Sequence, residues 1–272
     1  MTPEKRAAFQ DLIRSEGQKH FRGMPWRDDP NPYYVYVSEI MLQQTQVSRV
    51  LEAFPRFLER FPGLESLAAA EFPQVLAVWS GLGYNRRARY LHEGARLIQR
   101  QWGGVLSPDP LVLQTLPGVG INTAGSIAAF AYDAAVVFIE TNIRRVFIHH
   151  FFPDAEDVHD RQVLPLIQET LPNDRCRQWY WALMDYGTHL ARTQTNPNRR
   201  SSHHSRQKPF IGSLRQIRGA ILKTLASEGM IAAEQVSEYG GFPEDRITTA
   251  VDALEREGFL LRDHAGNITL KR

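Results

Sequence analysis

An all-α architecture closed by a small mixed tail is predicted here, and three observations carry that reading. Apolar residues recur at helical spacing from Thr2 to about residue 210, and almost nothing in that span alternates as a strand would. At the centre lies Leu116–Val146, LPGVGINTAGSIAAFAYDAAVVFIETNIRRV, which opens on two glycines spaced to turn one helix sharply into another. From Leu214 the rhythm changes. Three helical segments there end in two short alternating runs around Asp263-His264-Ala265-Gly266, a predicted hairpin. The domain boundary is drawn between residues 211 and 212, giving domains 1–211 and 212–272.

Thr2–Gln18 reads as an amphipathic helix with Phe9, Leu12 and Ile13 on one side. A Pro- and Asp-rich loop from Gly23 to Pro32 carries Trp26-Arg27, and one long helix is expected from Tyr34 to about Phe54. Further helices fit Leu64–Ala70, Pro73–Gly81, Tyr84–Gln101, Pro110–Thr115, Asn122–Tyr132, Val146–Phe152, Arg161–Leu171 and Arg175–Thr193. In the central stretch Pro117 stops a helix, and Gly118 and Gly120 are expected in backbone conformations closed to other residues. The N–H groups of Gly118, Val119 and Gly120, with the N-terminus of the next helix, would face an anion such as a DNA phosphate. The small residues Ala124, Gly125, Ser126, Ala128, Ala129 and Ala131 admit a close helix neighbour, and Ala134–Ile139 delivers one acid, Glu140, ahead of Asn142, Arg144 and Arg145. In the tail, helices are expected over Leu214–Ser227, Ala232–Tyr239 and Pro243–Gly258, with strands at Phe259–Arg262 and Asn267–Lys271, an arrangement like a winged helix-turn-helix module. The third of these helices carries Glu244, Asp245, Asp252, Glu255 and Glu257 against Arg246 and Arg256, a poor surface for phosphates, so a structural or protein-contact role is expected for the tail.

Composition sets bounds. The 272 residues are 43% hydrophobic, enough for one large core or two smaller ones, and a net charge of +2 permits nucleic-acid binding without arguing for it. The single cysteine, Cys176, excludes an internal disulfide and a thiolate-ligated cluster, and fits a reducing cytoplasm. The opening segment is too charged for a signal peptide, and no apolar run is long enough for a membrane span. Local charge is stronger: Arg192, Arg199, Arg200, Arg206, Lys208, Arg215 and Arg218 lie in one stretch without an acid, which suits either a solvated linker or phosphate contact. A metal site from Cys176, His189, His203 and His204 is disfavoured, since adjacent histidines do not match the usual ligand spacings.

The ordered motifs Pro25–Val47 (PWRDDPNPYYVYVSEIMLQQTQV), Trp79–Ala95 (WSGLGYNRRARYLHEGA) and LPGVG together resemble MutY-type adenine DNA glycosylases of the helix-hairpin-helix superfamily, over roughly residues 20–190. The resemblance implies two α-helical lobes with a DNA cleft between them, and a product made by flipping a base out of the duplex and leaving an abasic site. Breaking a glycosidic bond puts positive charge on the sugar and negative charge on the base, so an acid and a carboxylate are needed. Glu39 matches the family's acid, and its apolar neighbours Val37, Ile40, Met41 and Leu42 are placed to raise its pKa. Glu140 stands where the family has aspartate, in Glu140-Thr141-Asn142 instead of Asp-Gly-Asn. It is expected to stay ionised beside Asn142, Arg144 and a helix terminus. Asn122 stands where lyase-type relatives resembling endonuclease III carry lysine, so strand cleavage through a Schiff base is not expected. Gln44 and Thr45 match positions that face the base opposite the target, Tyr84 an aromatic wedge, and Trp26-Arg27 a pair near the pocket. Arg27, Arg199 and Arg200 join the expected DNA contacts.

Two family features are missing. Counting from Met184-Asp185-Tyr186-Gly187, the places of four iron–sulfur cysteines hold Ala191, Asn198, Ser201 and Gln207, so no cluster or other cofactor is expected. The basic loop would then hold its shape otherwise, by packing against Leu214–Ile221. The sheet domain that inspects 8-oxoguanine is not expected either, since the winged-helix-like tail stands in its place. The resemblance therefore implies a monofunctional DNA glycosylase, with adenine opposite guanine or 8-oxoguanine as the expected target. Mismatched thymine or uracil, or a non-catalytic DNA-structure binder, remain as alternatives. The expected setting is a cytoplasmic, nucleoid-associated monomer on mispaired or damaged double-stranded DNA, with a protein partner at the tail and no membrane.

Overall fold

The computed structural model describes residues 1–204, 209–237 and 239–271. Among them are fifteen α-helices: α1 (Pro3–Lys19), α2 (Pro25–Asp28), α3 (Pro32–Leu42), α4 (Val47–Arg60), α5 (Leu64–Ala69), α6 (Phe72–Trp79), α7 (Arg86–Trp102), α8 (Pro110–Leu113), α9 (Ile121–Tyr132), α10 (Thr141–Phe151), α11 (Asp160–Thr170), α12 (Cys176–Thr193), α13 (Leu214–Glu228), α14 (Ala233–Ser237) and α15 (Glu244–Arg256). The only sheet among the described residues has three strands, β1 (Met230–Ile231), β2 (Leu260–Arg262) and β3 (Ile268–Leu270). The chain is therefore mostly α, as expected, and no described helix is long and apolar enough to cross a membrane.

The chain divides into two compact units, each described by itself. The first comprises Met1–Glu39, Leu106–Thr115 and Val119–Arg206. Its core is built on α12, packed against α1 and α10, with Ile13, Phe147, Tyr180 and Leu183 fully buried and the Phe9 ring edge-on to Phe147. Gly187 on α12 is required by this packing: a Cβ there would overlap the backbone of Asn142, so the glycine lets the first turn of α10 sit directly on α12. The segment Ala134–Ile139 lies in no helix or strand, with the Tyr180 hydroxyl donating to the Val136 carbonyl at 2.6 Å. The next residue, Glu140, is the N-cap of α10, and its carboxylate accepts from the Asn142 and Ile143 amides, so the helix starts at Thr141, five residues before the expected start at Val146.

The second unit comprises Ile40–Val105, Leu116–Gly118 and Gln207–Arg272. The expected long helix from Tyr34 to Phe54 is instead two helices, α3 and α4, broken at Gln43–Gln46. No Gly or Pro marks the break. Its cause is distant in sequence: the Arg87 guanidinium takes the carbonyls of Ile40, Met41 and Gln43, which a continuous helix would use internally. Two short elements were also not expected, α2 and β1. Strand β1 pairs Met230 with Thr269 on β3, whose other side pairs with β2. The C-terminal elements cluster with 40–105. Arg89 of α7 lies over the Phe259 ring at 3.8 Å and donates to the carbonyls of Glu257 and Gly258. The Glu257 carboxylate pairs with Arg218 at 2.5 Å and Arg86 at 2.9 Å.

Candidate active site

Glu39, near the C-terminal end of α3, is half-buried, and its carboxylate accepts one side-chain hydrogen bond, from Ser126 Oγ of α9 at 2.5 Å. Burial is the largest influence on its pKa and pushes it up to about 7, helped by the Glu140 carboxylate and opposed by Ser126 and Arg27. Glu140 is held differently. The Asn142 and Ile143 amides donate to one of its oxygens at 2.6 and 2.7 Å, and Asn142 Nδ2 donates to the other at 3.1 Å. Burial still pushes its pKa up, so these donors offset the desolvation without reversing it. Arg145 favours the ionised form of Glu140 more than any other cation, and Arg144 adds to it as expected, through its charge alone. The Arg144 side chain forms a bidentate pair with Asp160 at 2.6 and 2.7 Å. Arg145 donates to Asn142 Oδ1 at 2.6 Å and to the Gly187 carbonyl at 2.8 Å. Asn142 is thereby fixed from both sides, one end on Glu140 and the other on Arg145.

Arg27, expected to touch DNA, is buried instead. Its guanidinium pairs with Asp185 at 2.7 Å and lies over the Trp181 ring at 5.3 Å. Asp185, itself 2% exposed, also accepts from Arg22, so this cluster ties α2 to α12. Arg200 likewise turns inward to the carbonyls of Pro153 and Ile148, whereas Arg199 is exposed. Arg206 and Lys208 lie outside the described residues.

The residues at the expected cluster positions do not suit an iron–sulfur cluster. Ala191 brings no donor, Asn198 donates to the Thr141 carbonyl at 2.8 Å, Ser201 joins Val158 in a parallel bridge, and Gln207 lies outside the described residues. The lone thiol, Cys176, is buried on α12. Within its own unit the loop is held by side-chain hydrogen bonds, Asn198 to the Thr141 carbonyl and Arg145 to Asn196 at 2.9 Å. No group of three metal-ligating side chains occurs among the described residues, and His189 stacks on His20 at 3.7 Å.

In the second unit, Gln44 and Tyr84 share an uncommon property: both are non-glycine residues in the left-handed region, at φ 56° and 48°. One side chain holds both turns. Arg87, 6% exposed, donates to Gln43, Thr45 Oγ1, Leu82 and Gly83 as well as to Ile40 and Met41. Sequence reasoning missed it, since the motif Trp79–Ala95 singled out Tyr84 and gave Arg87 no role. Ser126 was missed as one more small residue in a helix face. At the hairpin, Gly118 adopts φ 72°, and a Cβ there would strike the Tyr90 ring. Gly120 departs from expectation: at φ −85° it is open to any residue, caps α9 without a side chain and would leave an added Cβ in open space. Val119 has its side chain buried, while Asn122 is exposed and accepts from the Ile139 amide at 3.2 Å.

The sequence profile of the HhH-GPD superfamily base excision DNA repair proteins matches residues 37–172, half of the chain. The chain belongs to that superfamily. An adenine DNA glycosylase of Buchnera aphidicola subsp. Baizongia pistaciae is 33% identical over 181 residues, covering 65% of this chain and 51% of that protein. One from Mycobacterium tuberculosis (strain CDC 1551 / Oshkosh) is 45% identical over 130 residues, covering 47% and 43%. The chain thus spans about half the length of these curated relatives. Among solved structures, a thermostable thymine-DNA glycosylase superposes with a TM-score of 0.63 at 22% identity, over 71% of this chain and 91% of that one. An endonuclease III trapped in a covalent DNA intermediate gives 0.60 at 17% identity, over 72% and 90%. These superpositions show that the HhH-GPD chain has the endonuclease III-like fold.

Proposed function

We propose that this HhH-GPD protein is a monofunctional DNA glycosylase that removes adenine mispaired with guanine or 8-oxoguanine. The observation that carries the proposal is the unequal hydrogen bonding of two half-buried carboxylates: one donor on Glu39, three on Glu140. The relatives named adenine DNA glycosylase support adenine as the base.

Glu39, with its pKa near neutrality, holds a proton that it gives to the ring of the flipped adenine. The C1′–N bond then breaks, and its electron pair leaves with the base. Glu140, held by its three donors, offsets the positive charge developing on the sugar. Water adds its oxygen to C1′, and the water proton returns to the Glu39 carboxylate, restoring the acid. Asn142 orients Glu140, and Asn122 offers no amine for an imine with the sugar. Neither an iron–sulfur cluster nor any other cofactor enters these steps.

The test is a panel of single-lesion duplexes incubated with the protein, then treated with alkali. Adenine facing guanine or 8-oxoguanine should be released, with strands breaking only after alkali and little covalent complex trapped by borohydride. Release of thymine or uracil alone overturns the substrate. No release from any duplex overturns the enzyme, and efficient trapping overturns the monofunctional mechanism.

A further inference from the structure

Within the second unit, the first turn of α4, the turn between α6 and α7 and one side of α13 enclose a small cavity. Its volume is about 250 Å³. Pockets that take a whole ligand run to roughly 300–1,000 Å³, so this one suits a single chemical group. Its polar lining is Arg49, Ser80, Asn85, Arg215, Gln216 and Lys223, and no carboxylate lines it among the described residues.

Every charge on that lining is positive, and two of the cations are free. Arg49 and Lys223 are exposed, and neither has an ion-pair or side-chain hydrogen-bond partner among the described residues. Other cations of the same unit are neutralised: Arg86 and Arg218 pair with Glu257 at 2.9 and 2.5 Å. Neutral donors add to the charge. Asn85 is the N-cap residue of α7, yet its side chain makes no cap hydrogen bond. Gly81 and Gly83 bend the turn at φ 96° and 69°, and their amides meet no backbone acceptor among the described residues. Turns that pass through the left-handed region and leave amides unpaired form concavities for anions.

We propose that the C-terminal tail builds a phosphate site, in which Lys223 of α13 and Arg49 of α4 hold one phosphate oxyanion at the Gly81–Gly83 turn. An oxyanion accepts several charge-assisted hydrogen bonds at once and supplies the negative charge that this lining lacks. Two sources carry the same chemistry, the phosphodiester backbone of a duplex and a free phosphate monoester. Membership of a DNA repair superfamily puts the backbone within reach, and a contact there would anchor a duplex whatever its sequence. The acids of α15, which argued against phosphate contact by the tail, are not on the cavity wall. The tail therefore meets phosphate through α13, and α15 serves to hold it in place through Glu257.

Two measurements on the full chain test this, and neither reads base release, so they stand whether or not the glycosylase reading does. The first is binding to an unmodified duplex over a range of KCl. Lys223→Gln and Arg49→Gln should each weaken binding about 10-fold near 0.1 M salt and flatten the salt slope by about one unit. A phosphate shared by both leaves little for a second change to remove, so the double variant should lose less than about 2-fold more than either single one. Lys271→Gln removes the same charge from the tail but lies off the cavity, and should change binding less than about 2-fold. The second measurement is thermal unfolding in inorganic phosphate against KCl of equal ionic strength. Phosphate should raise the melting temperature of the parent and of Lys271→Gln, and not that of Lys223→Gln or Arg49→Gln. A loss seen only in duplex binding makes the backbone the source, and one seen only with inorganic phosphate makes it a free monoester. Losses that multiply in the double variant, equal weakening by Lys271→Gln, or no loss in either measurement overturns the proposal.

Discussion

Glu39 in the first unit and Arg87 in the second are both charged side chains drawn out of water, and their compensation differs. Glu39 has one side-chain donor and burial pushes its pKa up to about 7. Arg87 has six oxygen acceptors, and although burial lowers its pKa to about 10, it stays charged at neutral pH. An under-compensated buried charge is a reservoir for proton transfer, because the neutral and ionised forms are close in free energy. A charge whose guanidinium nitrogens Nη1 and Nη2 meet six acceptors is a geometric clamp, because nearly every acceptor it satisfies is a backbone position it fixes. The protein keeps the two uses apart: chemistry depends on the first and the shape of the strained turns on the second.

The largest expected effect breaks the first half of this contrast. Glu39→Gln should lower single-turnover base release by about 1,000-fold, the middle of the range for a lost general acid, while leaving lesion binding intact. Stability should move the other way. The folded pKa of Glu39 lies above its unfolded value, so its contribution to stability is present at low pH and is lost as pH rises toward about 7. Glu39→Gln should therefore melt higher than the parent at pH 8 and close to it at pH 4. A lower melting temperature at pH 8 would mean that Glu39 is not a buried acid under strain.

Glu140 comes next. Its three donors favour the ionised form, so Glu140→Gln should cost about 100-fold in base release, the scale of one preorganised electrostatic group. Glu140→Asp sharpens the comparison. Both Glu140 oxygens are bonded within α10's first turn, and a shorter side chain withdraws the carboxylate from that set. Activity should fall despite the retained charge. Full activity in Glu140→Gln would remove the residue from the mechanism.

Arg87→Lys tests the clamp. Lysine keeps the charge but not the fork, leaving the buried carbonyls of Ile40 and Met41 short of a donor at a cost of about 2 kcal/mol. Thermal unfolding should show that loss, and base release should fall with the displaced turns while the pH profile keeps its shape. A shifted profile would mean that Arg87 acts on the proton chemistry directly.

The smallest effect is on pH. The proton donor must be protonated, so activity should decline as pH rises through about 7. Ser126 Oγ favours the ionised form of Glu39, so Ser126→Ala should raise the pKa and move that decline to higher pH, with the rate below it little changed. A decline moved to lower pH would reverse the assigned hydrogen bond.

What the sequence determined by itself is local. Helical periodicity placed nearly every helix to within a few residues, because each helix buries its own apolar stripe and that stripe is written in consecutive residues. Gly118 announced its left-handed turn for the same reason. The motifs around Glu39, Tyr84 and Glu140 singled out those residues, but not what surrounds them. The tertiary structure alone decided the long-range choices: that α3 stops at Leu42, that Arg27 faces Asp185 across 158 positions, that Arg145 rather than Arg144 supports Asn142, and that Ser126 caps Glu39. The break after α3 shows why. Nothing between Tyr34 and Phe54 opposes a continuous helix, and the guanidinium that ends it comes from a residue more than forty positions along the chain. Burial makes such a contact decisive, since a charge and three carbonyls removed from water must satisfy one another, and only the folded chain settles which ones meet.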